Sequence, residues 1–168
     1  MRKQRQQLEE IFGAGGLLAK VVDGHDPRPQ QLELGMAVLE ALAHERVLLA
    51  EAPTGVGKTL AYLVPAALHA RAQHEPIIIS SYTRALQDQV LFLEAPRLKR
   101  LIHPDLAVVA LKGRSNYLCR RRWEIFLTEE ASGPDGRRIV DLLEKWVFAT
   151  ETGGIASVYY PVAVAVIN

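Results

Sequence analysis

The sequence predicts an α/β fold, a parallel sheet flanked by helices. Apolar runs at 47–51, 76–81 and 106–111 alternate with stretches of helical periodicity. The middle run places Ile77, Ile78 and Ile79 in succession, the β-branched pattern of a strand buried on both faces. Between the first run and the helix after it lies Ala-Pro-Thr-Gly-Val-Gly-Lys-Thr, residues 52–59, a glycine-turned loop in a strand-to-helix position.

In chain order, residues 8–22 form an apolar cluster broken by Gly13, Gly15 and Gly16, which predicts a short helix and a turn. Residues 23–29 are a loop of Asp, Gly and Pro. Pro29 suits the first turn of a helix, in which Leu32, Met36, Leu39 and Leu42 recur at helical spacing up to about His44. Residues 47–51 are the first strand. A helix over 58–71 carries Leu60, Leu63 and Leu68, and Pro65 inside it removes a hydrogen bond and should bend it. Residues 76–81 are the second strand, 83–94 a further helix and 106–111 the third strand. The pattern then changes. Residues 112–122 are basic, 131–136 are a Ser/Gly/Pro/Asp loop, and 138–147 read as a helix bearing Trp146. Ile155 to Ile167 is apolar but short for a bilayer, and reads as a buried strand. These changes divide the chain into 1–111, 112–154 and 155–168.

At 168 residues the chain is long enough for a real core. Its 49% hydrophobic and 23% charged residues are those of a soluble globular protein, and no membrane partner is expected. The net charge of +1 is unevenly spread. Residues 97–122 hold Arg97, Lys99, Arg100, Lys112, Arg114, Arg120, Arg121 and Arg122 against Asp105 alone, net +7, leaving −6 elsewhere. Such a patch suits a polyanion, or is a solvated face. Cys119 is the one cysteine, so no internal disulfide forms, and residues 1–10 lack an apolar signal core. A cytoplasmic location follows as the expectation.

The loop at 52–59 carries the most chemistry. Gly55 and Gly57 can take positive φ and let backbone N–H groups approach a polyphosphate. Lys58 can reach the β/γ-phosphates, the Thr59 hydroxyl can ligate Mg²⁺, and the helix starting near Lys58 adds its positive N-terminal end. The first position is Ala52, not the glycine of the strict pattern. The alternative is a glycine turn without a ligand. Even read as a phosphate loop, the motif alone does not choose between kinase, GTPase, transporter ATPase and helicase. The histidines at 25, 44, 69, 74 and 103 show no metal spacing and read as surface or capping residues.

Four segments in order support a resemblance. They are Arg28-Pro29-Gln30-Gln31; Glu51 through Tyr62 with the loop; Ser80-Ser81-Tyr82-Thr83-Arg84-Ala85-Leu86-Gln87-Asp88-Gln89; and Lys112-Gly113-Arg114-Ser115-Asn116-Tyr117-Leu118-Cys119. Together they resemble the start of the DinG/XPD-like superfamily 2 DNA helicases, on the bacterial DinG/YoaA-like side, from about Leu8 to Gly154. The resemblance implies part of a RecA-like P-loop domain running into an iron–sulfur-type insertion. It implies ATP and Mg²⁺ as ligands, held by Arg28, Gln31, Pro53, Thr54, Gly55, Val56, Gly57, Lys58 and Thr59. Gln31, with Arg28 nearby, would read the adenine ring, an amide being able to donate and accept at once. Thr83, Arg84 and Gln87 would grip single-stranded DNA backbone, although Thr83 also suits a helix cap. Arg114, Arg120 and Arg121, with Arg122, would line the path of single-stranded or forked DNA. Tyr117 and Trp123 are open to stacking on a base or to a core role. Cys119 would be one ligand of a [4Fe-4S] cluster, which needs four.

The 168 residues contain no Asp-Glu-Ala-His-type box and no further cysteine. The expectation is an N-terminal fragment of a DinG-like ATP-dependent DNA helicase that binds ATP weakly and lacks turnover. A non-enzymatic single-stranded nucleic-acid-binding module using the 97–122 patch is the second reading, and a small P-loop kinase the third.

Overall fold

A computed structural model describes residues 1–129 and 131–155. They fall into two compact units that divide between Val108 and Val109.

The first unit is a packed set of helices. Helix α1 (Arg2–Phe12) buries Leu8, Ile11 and Phe12 on one face. Gly13 leads into the short α2 (Leu17–Val21), which buries Leu18. Helix α3 (Pro29–Ala43) starts with proline at its first turn, where the missing N–H costs nothing. Helix α4 (Lys58–Gln73) starts from Gly57 and ends at His74, at φ 58°. Pro65 lies inside α4 and is fully buried. Helices α3 and α4 form the main packed pair, and they approach closely at Gly35. A Cβ there would lie 3.3 Å from a Phe12 ring carbon and 3.4 Å from the Ala61 carbonyl oxygen. Leu8, Leu18, Leu39, Val64 and Leu98 form the dry centre, with Leu32 and Met36 packed at its edge.

The helix expected at 83–94 is resolved into α5 (Arg84–Gln89), a π-helical turn (Val90–Glu94) and α6 (Ala95–Leu101). Pro96 falls in the first turn of α6, where it is tolerated, so the helical run continues past the expected end.

The expected parallel sheet is not found, and with it the partial RecA-like α/β fold read from the sequence is overturned. Among the described residues there is no strand, only an isolated antiparallel bridge between Tyr117 and Gly154. Residues 46–53, 75–81 and 105–113 have no regular secondary structure. Parallel strands need hydrogen-bonded neighbours and cover on both faces. Here Val47, Leu49 and Ile78 are almost wholly exposed and Leu111 is 87% exposed. The buried core of this unit comes instead from helix-on-helix packing.

The second unit contains a 3₁₀ turn (Arg114–Asn116), α7 (Arg120–Glu129) and α8 (Pro134–Ala149). Trp123 is buried, and its ring stacks on Phe126 at 5.7 Å between centroids. The Leu118 amide donates to the Gly153 carbonyl at 2.8 Å. Gly153, at φ +68°, is set in turn by its own amide donating to the Thr150 hydroxyl. Of the strand read over 155–167, residues 156–167 lie outside the described residues.

Candidate nucleotide site

The loop at 52–59 folds as its glycines dictate. Gly55 and Gly57 stand at φ +87° and +84°, the left-handed region that glycine enters without a Cβ penalty. Three side chains tie down the loop carbonyls. Lys58 Nζ donates to the carbonyls of Ala52 at 2.7 Å and Pro53 at 2.8 Å. The Arg28 guanidinium donates to the Gly55 carbonyl. Gln31 Nε2 donates to the Gly57 carbonyl at 3.0 Å, which also accepts the Ala61 amide as α4 begins. In a trans peptide the C=O and the next N–H point opposite ways. Fixing the carbonyls of Pro53, Gly55 and Gly57 therefore turns the amides of Thr54, Val56 and Lys58 away from the side chains that hold those carbonyls. Engaging a phosphate with Lys58 means exchanging two carbonyls for phosphate oxygens at the N-terminus of α4.

A cavity of about 250 Å³ adjoins the loop, lined on one side by Gly57, Thr59 and Leu60. Asp23, His25, Arg28 and Gln31 line it from the α2–α3 connection and the start of α3, and Gln89, Glu94 and Arg97 from the helical run that follows. It is smaller than the ~300–1,000 Å³ sites that enclose whole drug-sized ligands. That size suits a base, with the phosphates left on the loop. Glu94 is buried, and its carboxylate accepts from Gln89 Nε2 and from Arg97, the latter at 3.1 Å. Thr59 is hydrogen-bonded to Tyr62, whose phenol is pushed above its ordinary value of 10.0 by burial. The Thr59 bond opposes that shift, and the charge of Glu94 adds to it. Thr59 sits in the first turn of α4 and lines the cavity. This suits Mg²⁺, which takes one or two protein oxygens and completes its shell with phosphates and water.

The structure thus brings Arg28, Gln31, Gly55, Gly57, Lys58 and Thr59 together. Pro53, Thr54 and Val56 contribute backbone to the same loop. Gln31 differs in detail from its expected role, because its amide donor is engaged by Gly57. Sequence reading missed His25, Glu94 and Arg97. The Asp23-Gly24 turn before His25 was the one local signal, and Arg97 was counted with the basic patch although Glu94 holds it inside the cavity.

The remaining candidates are divided between the two units. In the first, the Thr83 hydroxyl caps α5 by accepting the Leu86 amide at 3.2 Å. Gln87 Nε2 donates to the Ser81 carbonyl, and Arg84 is exposed. In the second, Arg114, Arg120, Arg121 and Arg122 are exposed, and so is Cys119. The Tyr117 hydroxyl accepts the Lys112 amide at 2.9 Å, and Trp123 is buried, so both support structure. Among the described residues no three His, Cys, Asp or Glu side chains gather as a metal site. With one exposed thiol, the residues present do not fit a [4Fe-4S] cluster.

A glycine loop opening a helix with Lys-Thr, beside a polar cavity, is the arrangement of a P-loop nucleotide-binding protein. The chain belongs to the DEAD/DEAH box helicase family, whose model matches residues 28–122. It is 36% identical over 144 residues to the 3'-5' exonuclease DinG of Bacillus subtilis (strain 168), covering 86% of this chain and 16% of that protein. It is 42% identical over 117 residues to the ATP-dependent DNA helicase YoaA of Escherichia coli (strain K12), covering 70% of this chain and 18% of the relative. The ATP-dependent DNA helicase DinG of the same strain is 40% identical over 111 residues, 65% of this chain and 15% of the relative. The chain spans less than a quarter of the length of these relatives.

Proposed function

We propose that this chain carries the ATP-binding segment of a DinG/YoaA-type ATP-dependent DNA helicase. The observation that supports this best is the loop whose carbonyls are held by Lys58, Arg28 and Gln31 beside a base-sized cavity. Lys58 and the loop amides take the phosphates, Thr59 the Mg²⁺, and the cavity the adenine. Single-stranded or forked DNA is the partner, met by Arg84 and Gln87 near the start of α5 and by Arg114, Arg120 and Arg121. Thr83 sets the start of α5 through its cap. No helix among the described residues is long and apolar enough to cross a membrane, and a cytoplasmic setting is proposed. Residues 1–168 contain no Asp-Glu-Ala-His segment to position water, so nucleotide binding without turnover is the activity assigned to them.

Titration with a fluorescent ATP analogue in Mg²⁺ tests the reading. Saturable binding, displaced by ATP and lost in Lys58→Ala, is the expected result. Binding that Lys58→Ala leaves unchanged overturns it. A second titration addresses the module reading. Salt-sensitive binding of single-stranded DNA that neutralising Arg120, Arg121 and Arg122 abolishes, with no ATP binding at all, would favour a nucleic-acid module instead.

A further inference from the structure

Among the described residues Tyr82 is the most exposed aromatic side chain, its ring wholly in solvent. Phe12 and Trp123, by contrast, are buried. A ring is a large apolar contact surface, and a bare one forgoes that contact. The backbone at Tyr82 is held on both sides. Gln87 Nε2 donates to the Ser81 carbonyl at 3.3 Å. The Thr83 hydroxyl accepts the Leu86 amide at 3.2 Å, and the Thr83 carbonyl accepts the Gln87 amide at 3.1 Å. Residues 81 and 83 are thus tied to α5, and residue 82 stands between them with its side chain in water. A tyrosine has two χ angles to fix, so a ring on an anchored backbone loses little freedom when it meets a ligand.

A partner that offers unpaired π faces in series is a single strand of nucleic acid, whose bases stack on aromatic side chains with little regard to sequence. Other bare apolar side chains do not meet that need. Val47, Leu49 and Ile78 are almost as exposed but are aliphatic. Phe148 is 80% exposed, yet it shares its face of α8 with Asp141, Glu144 and Lys145, a net negative set that opposes a phosphate backbone. Along the chain, the charged residue nearest Tyr82 is Arg84. We propose that Tyr82, presented by the Gln87 and Thr83 anchors, is a base-stacking residue for single-stranded DNA. This rests on the reading of single-stranded DNA as the partner of the α5 segment. It moves the stacking role from Tyr117 and Trp123, which support structure, to a ring that meets solvent.

The test compares two labelled single strands of equal length, an oligothymidylate and its abasic counterpart, by fluorescence anisotropy. Both keep the phosphates, and the second has no base to stack. They are titrated with the wild-type chain and with Tyr82→Ala, Tyr82→Phe and Tyr82→Leu. The expected result is that the wild type prefers the oligothymidylate. Tyr82→Ala weakens that complex about fivefold or more and leaves abasic binding unchanged. The salt slope for oligothymidylate stays as in the wild type, because no phosphate contact is lost. Tyr82→Phe keeps the preference, and Tyr82→Leu, apolar but without a π face, loses it. Unfolding midpoints of the variants match the wild type, since an exposed ring gives up no packing. Equal binding of both strands by the wild type, indifference to Tyr82→Ala, equal weakening of both strands, or full rescue by Tyr82→Leu overturns the proposal and leaves DNA binding by the arginines standing. Failure of the wild type to bind either strand overturns the DNA reading and this inference with it.

Discussion

Gly57→Ala probes the joint between the loop and α3. Two costs add at this position. An L residue at φ +84° pays about 1–2 kcal/mol for left-handed backbone. An added Cβ would also lie 2.2 Å from Gln31 Nε2, closer than real contacts allow. The amide must move, so it loses its 3.0 Å bond to the Gly57 carbonyl and leaves a buried side chain unsatisfied at both ends. That adds roughly 1–3 kcal/mol, for a total near 2–5 kcal/mol. Gly55→Ala is the control, because Gly55 has nearly the same φ, +87°, and nothing within 4 Å of its Cβ position. It should show the backbone cost alone. Urea unfolding of both variants measures the difference, and placing Gly57→Ala in a Gln31→Ala background should remove the excess. Equal destabilisation by Gly55→Ala and Gly57→Ala would refute the reasoning.

Three further outcomes follow from the same contacts. Gly35→Val should cost about 1–3 kcal/mol by overpacking, because its Cβ position already lies 3.3 Å from the Phe12 ring; Gly35→Ala should be near neutral, its helix propensity offsetting the tight contact, as thermal unfolding would show. Thr83→Ala should cost about 1 kcal/mol of stability by removing the α5 cap, and Thr83→Ser should not, with denaturant midpoints as the readout. Burial first, and Arg28 second, lower the pKa of His25 from its ordinary 6.5, against the opposing pull of Asp26, which gives a pH dependence of definite sign. The unfolded state takes up its proton at higher pH than the folded state, so stability should decline as pH falls through 6.5 toward the folded value. Arg28 and Asp26 act on the ring directly, and Asp23, Glu94 and Arg97 share its cavity. Urea midpoints compared between about pH 7 and pH 5 should lose part of their slope in His25→Asn.

Local signals foretold local structure. Pro29 and the Leu32, Met36 and Leu39 spacing mark α3, and the loop glycines adopt the positive φ their positions suggest; of the loop read over 131–136, only residues 131–133 precede α8, because Pro134 already opens that helix. The helix starting near Lys58 was equally legible. The sheet was not, because a strand is completed by its neighbours. Ile77, Ile78 and Ile79 state a preference for extended backbone and say nothing about whether another strand lies alongside. Helix 83–94 was misread at its end for a related reason. The π-helical turn at Val90–Glu94 is followed by Pro96 in a tolerated position, so no local stop exists there. At the site, the loop could be read because its chemistry is contiguous. His25, Glu94 and Arg97 could not, because they meet the loop only through the fold. A histidine without metal spacing looks like a surface residue until its Nε2 is found buried.

The missing sheet sharpens what positions the site. Gln31 and Arg28 stand at the start of α3, and Gly57 and Lys58 at the start of α4. The helices can hold those ends in register because Gly35, one turn beyond Gln31, lets α3 approach the Ala61 carbonyl, one turn beyond Gly57. The Gln31–Gly57 bond thus closes a frame whose other side is the Gly35–Ala61 contact. On this account the loop conformation depends on the α3–α4 packing and not on pairing by residues 47–51. A substitution that widens the helix pair at Gly35 should therefore weaken ATP-analogue binding without touching the loop, whereas replacing the exposed Val47 or Leu49 with threonine should leave binding unchanged. The opposite result, loss of binding on changing Val47 or Leu49 and indifference to Gly35→Val, would return control of the loop to the segment that precedes it.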